Sequence, residues 1–164
     1  MIRYAEASDA TGLADVHVSS WQSAYRGIFP DPFLDGLDRA RRSQWFERQL
    51  EGGAEILVAD DGEVVGFCWV GNSDDESWGE VHSIYVHPAH WGRGHGQALL
   101  LRGEADLVAM GHHRALLWVL EPNGRGRRFY ERQGWVLGTA IKMEDIGGHQ
   151  VRELRYERAR LTAG

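Results

Sequence analysis

Cysteine, lysine and long apolar runs are scarce in this chain, and each shortage excludes a class of protein. A single cysteine, Cys68, cannot close an internal disulfide, so a small disulfide-stapled fold is ruled out. No apolar run approaches the roughly 18 residues that a membrane-spanning helix needs. The start, MIRYAEASDA, has neither the basic opening nor the apolar stretch of a secretion signal. The expectation is a cytoplasmic chain with no membrane partner. Positive charge is also short, with 18 Lys plus Arg against 24 Asp plus Glu and a formal net charge of −6. Nonspecific nucleic-acid binding rests on cations that neutralise phosphates, so no nucleic-acid partner is expected. Only one of those 18 cations is a lysine, Lys142, an imbalance that reads as composition bias without functional weight.

What is present is ordinary globular material. The 164 residues are 43% hydrophobic and 26% charged, and domains cluster at roughly 100–150 residues, so residues 1–164 are read as a single domain. Ile2 to Glu6 alternates like a short strand, and Ser8 or Asp9 offers a side-chain oxygen to cap a helix running to Tyr25, with Gly27 as a stop signal. The segment IFPDPFLDGLD holds two of the four prolines and reads as a connection with one helical turn. Asp38 then caps a helix through Trp45, Phe46 and Leu50 that ends at Gly52 and Gly53. From Glu55 the period falls to about 2, and ILVAD, the Asp61-Gly62 turn and VVGFCWVG predict a hairpin. A strand follows over 78–87, then a helix over 97–110 with Ala98, Leu101, Ala105 and Val108 as its apolar stripe. A buried strand over 115–120, an Arg-rich helix over 123–133 and strands near 135–143 and 150–157 complete the order. Without strict alternation, that order predicts one mixed sheet with helices on its faces.

The stretch GEVHSIYVHPAHWGRGHGQALL combines a strand, a loop with glycines at 92, 94 and 96, and a helix start. Glycines let a ligand approach the backbone, and the unpaired N–H groups of a helix start carry partial positive charge, which suits a phosphate or pyrophosphate. The plainer reading is a tight strand-to-helix turn with no ligand. A Walker loop needs Gly-Lys followed by Ser or Thr, but Gly96 is followed by Gln97 and Ala98. A dinucleotide fingerprint needs Gly or Ala at its sixth position, which is Gln97 counted from Gly92 and Leu99 counted from Gly94.

Instead, Trp91, Gly92, Arg93, Gly94, His95 and Gly96 resemble the acyl-CoA loop of the GNAT N-acetyltransferases. That pattern is Gln or Arg, two residues, Gly, one residue, then Gly or Ala, and Trp91 stands where the family usually has Gln or Arg. Upstream, Ile84, Tyr85 and Val86 with Pro88 resemble the family's fourth strand, which pairs with the pantetheine arm of CoA. Downstream, Asn123, Phe129, Tyr130, Gly134 and Trp135 resemble a further family segment, and WQSAYRGIFPDPFL resembles the first-helix region of small bacterial members. The likeness covers nearly the whole chain, in order.

The resemblance implies an α/β, single-domain GNAT-like fold, with a mixed, mostly antiparallel sheet of six to seven strands flanked by about four helices. It implies acetyl-CoA as cosubstrate and a primary amine of a small molecule or peptide as acceptor, attacking directly in a ternary complex. Glu80 would be the general base, with His82 as its rival, and Tyr130 the general acid toward the CoA sulfur. Ile84, Tyr85, Val86, Trp91, Gly92, Arg93, Gly94, His95, Gly96, Gln97 and Asn123 would hold the cofactor, and Trp21 and Tyr25 would border the acceptor. Asn123 serves equally as a helix N-cap. Arg125, Arg127, Arg128 and Arg132 are either a solvated face or CoA phosphate ligands, and Cys68 reads as a small buried residue. An acyl-CoA-binding module without turnover, a transferase of another acyl group and a homodimeric interaction protein are the alternatives, and a homodimer stays open in every case. The pairs His87/His90 and His112/His113 lack an H-E-x-x-H pattern or a Cys pair, so no metal site is expected.

Overall fold

Seven strands form one sheet: β1 (Ile2–Tyr4), β2 (Ile56–Asp60), β3 (Val64–Asn72), β4 (Gly79–Val86), β5 (Ala115–Leu120), β6 (Val136–Ile146) and β7 (His149–Arg158). In this computed structural model, which describes residues 1–162, their order across the sheet is β1-β2-β3-β4-β5-β7-β6. Five helices accompany them: α1 (Ala10–Ala24), α2 (Asp31–Asp35), α3 (Arg39–Glu51), α4 (His95–Ala109) and α5 (Gly124–Arg132). Every neighbouring pair is antiparallel except β4 with β5. A parallel pair needs a long crossover, and α4 supplies it. The expected mixed, mostly antiparallel sheet is present. The helix beyond the four expected is α2, the single turn read from the proline-containing connection.

Helices cover both faces of the sheet. Leu57, Ala59 and Cys68 face a core shared with Leu99, Leu100 and Leu107 of α4, while Ile56, Val58 and Phe67 face Leu13 and Val16 of α1 and Phe46 of α3. Burial on both faces explains why Ile56 to Ala59 is a continuous apolar run rather than the period-2 alternation expected of it.

Two local expectations are corrected. Of the two cap candidates, Ser8 lies within the preceding 3-10 turn and Asp9 takes the N-cap position of α1, but the Asp9 carboxylate makes no cap bond to the helix. It accepts the Glu6 N–H at 2.7 Å and two bonds from Arg3 at 2.7 and 2.9 Å, closing a 3-10 turn ahead of the helix. The buried face of α4 is not the stripe through Ala98 and Leu101, both of which are exposed; it is Leu99, Leu100, Gly103, Glu104 and Leu107. Gly103 lets the helix approach β3 so closely that a Cβ there would lie 2.9 Å from Val70 Cγ1. Glu104 is buried because it accepts from Trp135 Nε1 at 2.9 Å and lies 3.6 Å from Arg158 Nε.

The feature that opens a site is the parting of β4 from β5. They pair only at Gly79 with Ala115 and Glu80 with Leu116. On the other side β4 stays paired to β3 as far as Val86, with a register shift between Trp69 and Val70. His87 N–H donates to the Val65 carbonyl at 2.8 Å. By antiparallel alternation, the N–H and C=O of Val86 therefore point away from β3, into the gap.

Candidate active site

A cavity of about 780 Å³ fills that gap. Its walls are Glu80 to Val86 of β4 on one side, with Trp118 to Leu120 of β5 and residues of α5 on the other. Ser20, Trp21 and Ala24 of α1 and the residue after it, Tyr25, complete the lining. Of the sixteen residues expected at the site, all but Arg93 line this cavity. Arg93 sits between two glycines at the exposed tip of the loop and turns to solvent.

The glycine loop reverses the chain into α4 through Gly92 and Gly94, at φ +77° and +85°, values that side chains rarely adopt. The helix begins at His95, two residues earlier than the pattern suggested, with Gly94 as N-cap. Its first intrahelical bond is Ala98 N–H to Gly94 O at 3.0 Å, which leaves the preceding N–H groups without helical partners beside the cavity. Trp91 Nε1 donates to Val86 O at 2.7 Å, and Ser20 Oγ donates to the same oxygen at 3.0 Å. The carbonyl of Val86 is thus occupied, while its N–H faces the cleft. The guanidinium of Arg125 lies 3.7 Å from the centre of the Trp91 ring. Asn123 Oδ1 caps α5 by accepting the Gly126 N–H at 3.0 Å, so the cap and the cavity wall are one residue.

Glu80 and His82 share a face of β4, with Glu80 Oε1 3.6 Å from His82 Nδ1. Tyr130 packs against the α4-side core with Phe129. Burial pushes its phenol well above the ordinary value, reinforced by Tyr85 and Cys68, so it keeps its proton throughout the neutral range. Burial raises the Tyr25 and Tyr85 phenols as well. Cys68 is fully buried and its thiol is pushed far up by burial, so no thiolate is available as a nucleophile.

Charge is distributed unevenly along the cavity. Arg125, Arg128 and Arg132 line the α5 end, whereas Arg127 turns aside to bond Tyr156 Oη and the Glu121 carbonyl. Three carboxylates, Glu80, Glu144 and Glu153, and one ammonium, that of Lys142, also line the cavity. Lys142 Nζ lies 3.2 Å from Glu153 and 3.5 Å from Glu144, over the ring of Trp118 at 4.9 Å. Burial opposes its charge, but the two glutamates outweigh burial and hold its pKa above the ordinary value. The lysine dismissed as composition bias is therefore a cavity residue. Trp118, Glu144 and Glu153 were also missed, because no local pattern distinguishes a strand residue facing a cleft from one facing solvent. Asp75, in the acidic loop before β4, instead accepts from Ser77 Oγ at 2.7 Å and lies 3.9 Å from Arg155.

A smaller cavity of about 240 Å³ adjoins the first through His82, Ser83 and Tyr85, and is otherwise lined by His17, Arg42 and aromatic rings. Burial, aided by Arg42, depresses the His17 pKa to about 3.

Comparison with known proteins agrees with this geometry. Residues 18–135 match the model of the acetyltransferase (GNAT) family. The chain is 34% identical over 128 residues to an uncharacterized N-acetyltransferase, YuaI, of Bacillus subtilis, covering 74% of this chain and 72% of that one. It is 28% identical over 152 residues to the L-amino acid N-acyltransferase MnaT of Escherichia coli, covering 89% and 84%. The solved structure of the yncA protein from Salmonella typhimurium with its cofactor acetyl-CoA superposes with a TM-score of 0.71, covering 99% of this chain and 94% of that one at 24% identity, a likeness of fold.

Proposed function

The chain belongs to the GNAT acetyltransferase family, and from that premise we propose that it moves an acetyl group from acetyl-CoA to a primary amine of a small molecule or peptide by direct attack in a ternary complex. The observation that carries this reading is the cavity between the parted strands, where Glu80, Tyr130 and the start of α4 meet. The unpaired N–H groups at that start, with Arg125, Arg128 and Arg132, would hold the phosphates of CoA. The edge of β4 would pair with its pantetheine arm.

Glu80, directly or through a water shared with His82, takes the proton of the attacking ammonium. The Val86 N–H stabilises negative charge on the thioester oxygen as the new C–N bond forms. Tyr130 gives its proton to the departing sulfur as the C–S bond breaks, and the second proton that the acylated nitrogen loses restores the phenol. Buried Cys68 supports direct transfer over a thiol-bound acyl-enzyme.

The excess of carboxylates around Lys142 favours an acceptor that arrives as a cation, and Trp21 and Tyr25 would border it. No described helix is long and apolar enough to cross a membrane, which fits a cytoplasmic place of action. A homodimer is supported by β6, a sheet-edge strand that exposes Val136, Leu137, Ile141 and Met143; light scattering that gives only a monomer mass would remove it.

The test is an acetyl-CoA titration followed by a thiol-release assay over polyamines, amino acids and peptide N-termini. Binding with amine-dependent release is expected. Binding without release from any amine would leave an acyl-CoA-binding module, and absence of binding would remove both readings.

A further inference from the structure

We propose that Asp61, His90 and His95 form a binding site for one zinc-class divalent cation at the lip of the cavity, joining the β2–β3 turn to the glycine loop. One ring nitrogen from each histidine and one Asp61 carboxylate oxygen all lie within 4.8 Å of one another. His95 Nε2 is 4.0 Å from Asp61 Oδ2. His90 Nε2 is 3.8 Å from Glu63 Oε1, which lies outside the three-residue cluster. Both histidine side chains are only 18% exposed. His90 Nδ1 and His95 Nε2 are buried with no hydrogen-bond partner among the described residues. A polar atom taken from water without a partner is costly, and a metal bond at His95 Nε2 would remove that cost.

The fold, rather than any local spacing, brings these groups together. Asp61 follows β2 in a turn braced by Asp60, which accepts from Arg3 Nε at 2.9 Å and from the Gly62 N–H at 3.0 Å. Because β3 pairs with β4, this turn lies at the end of the sheet where β4 gives way to the glycine loop. The reversal at Gly92 and Gly94 brings His95 back beside His90, with their ring centres 6.2 Å apart. Along the sequence His90 has His87 as its near histidine, while Asp61 stands about thirty residues away and meets it only through the fold.

The donor set selects the ion. Two neutral imidazoles and a carboxylate suit Zn²⁺ and its borderline neighbours, whereas Mg²⁺ and Ca²⁺ call for six or more ligands, mainly oxygen. Zinc bonds of about 2.0–2.2 Å place tetrahedral ligand atoms about 3.3 Å apart, so the three groups need to close by about an ångström. Asp61, whose side chain is 54% exposed, has the freedom to do so.

The experiment is a calorimetric titration of the metal-free full chain with Zn²⁺ at neutral pH. One saturable equivalent is expected, weakened at least about 10-fold by Asp61→Asn and by His95→Ala and unchanged by His113→Ala, a substitution in an exposed histidine outside the cluster. Mg²⁺ should give no binding. Asp61 lies in an exposed turn, so its variant reports on binding rather than folding, which far-ultraviolet circular dichroism checks. Absence of a saturable equivalent, or both cluster variants binding Zn²⁺ like the unsubstituted chain, would overturn the proposal. No turnover enters this measurement, so it stands or falls apart from the acetyltransferase reading.

Discussion

The indole Nε1 of Trp91 donates to the carbonyl oxygen of Val86 at 2.7 Å. The residue that departs from the family's usual Gln or Arg thereby fixes the last residue of the strand that borders the cleft, and its ring carries Arg125. Trp91→Phe keeps a ring for Arg125 and loses the hydrogen bond, worth about 0.5–1.5 kcal/mol net. The Michaelis constant for acetyl-CoA should rise roughly 3- to 10-fold with little change in kcat, and more in Trp91→Ala. Steady-state kinetics with acetyl-CoA varied would check both.

Tyr130 is the proposed proton donor, and Tyr130→Phe removes only its hydroxyl. The ring's packing against the core should persist, leaving the thermal midpoint nearly unchanged. Loss of a positioned general acid lowers kcat by about 10²-fold or more. Turnover equal to that of the unsubstituted chain would remove the assignment.

Arg128 and Arg132 line the cavity together with Arg125. Because exposed charge pairs are screened by salt, the Michaelis constant for acetyl-CoA should rise with ionic strength. In Arg128→Ala with Arg132→Ala it should start higher and depend less on salt. Rates measured across a sodium chloride series give both slopes.

His17 makes stability depend on pH. Its folded pKa, about 3, lies below the unfolded value of about 6.5. The unfolded chain thus binds a proton in that window while the folded chain does not. Stability from this group is fully present above pH 6.5 and declines as pH falls toward 3, by at most about 1.4 kcal/mol per unit. Urea unfolding at several pH values should show that decline, and His17→Phe should flatten it above the range where Asp9 and its Arg3 partner begin to contribute.

Much of the fold was legible because its signals are local. The Asp61-Gly62 turn, the apolar runs on either side of it, Asn123 as a cap and the three loop glycines each act within a few residues. The α4 stripe misled because a helical period gives a face only when apolar residues define it. Here Gly103 and Glu104 lie on the buried face, one for close approach to β3 and the other to meet Trp135 and Arg158. Asp9 stands at the start of α1 as one of the two cap candidates, but its carboxylate is drawn off the helix because Arg3 competes for it from the neighbouring strand. Lys142 and Asp61 reach their neighbours only through strand pairing: β6 sets Lys142 opposite Glu153 of β7, and the β2–β3 turn carries Asp61 to His95. No spacing along the chain encodes either meeting.

Direct transfer between two substrates held together in the cavity between β4 and β5 is the proposed chemistry. Initial rates of thiol release, measured with acetyl-CoA and an active amine varied together, test it most directly. Direct attack predicts intersecting double-reciprocal lines and no acetylated protein after incubation with acetyl-CoA alone. Parallel lines together with a stable acetyl adduct on the chain would contradict it.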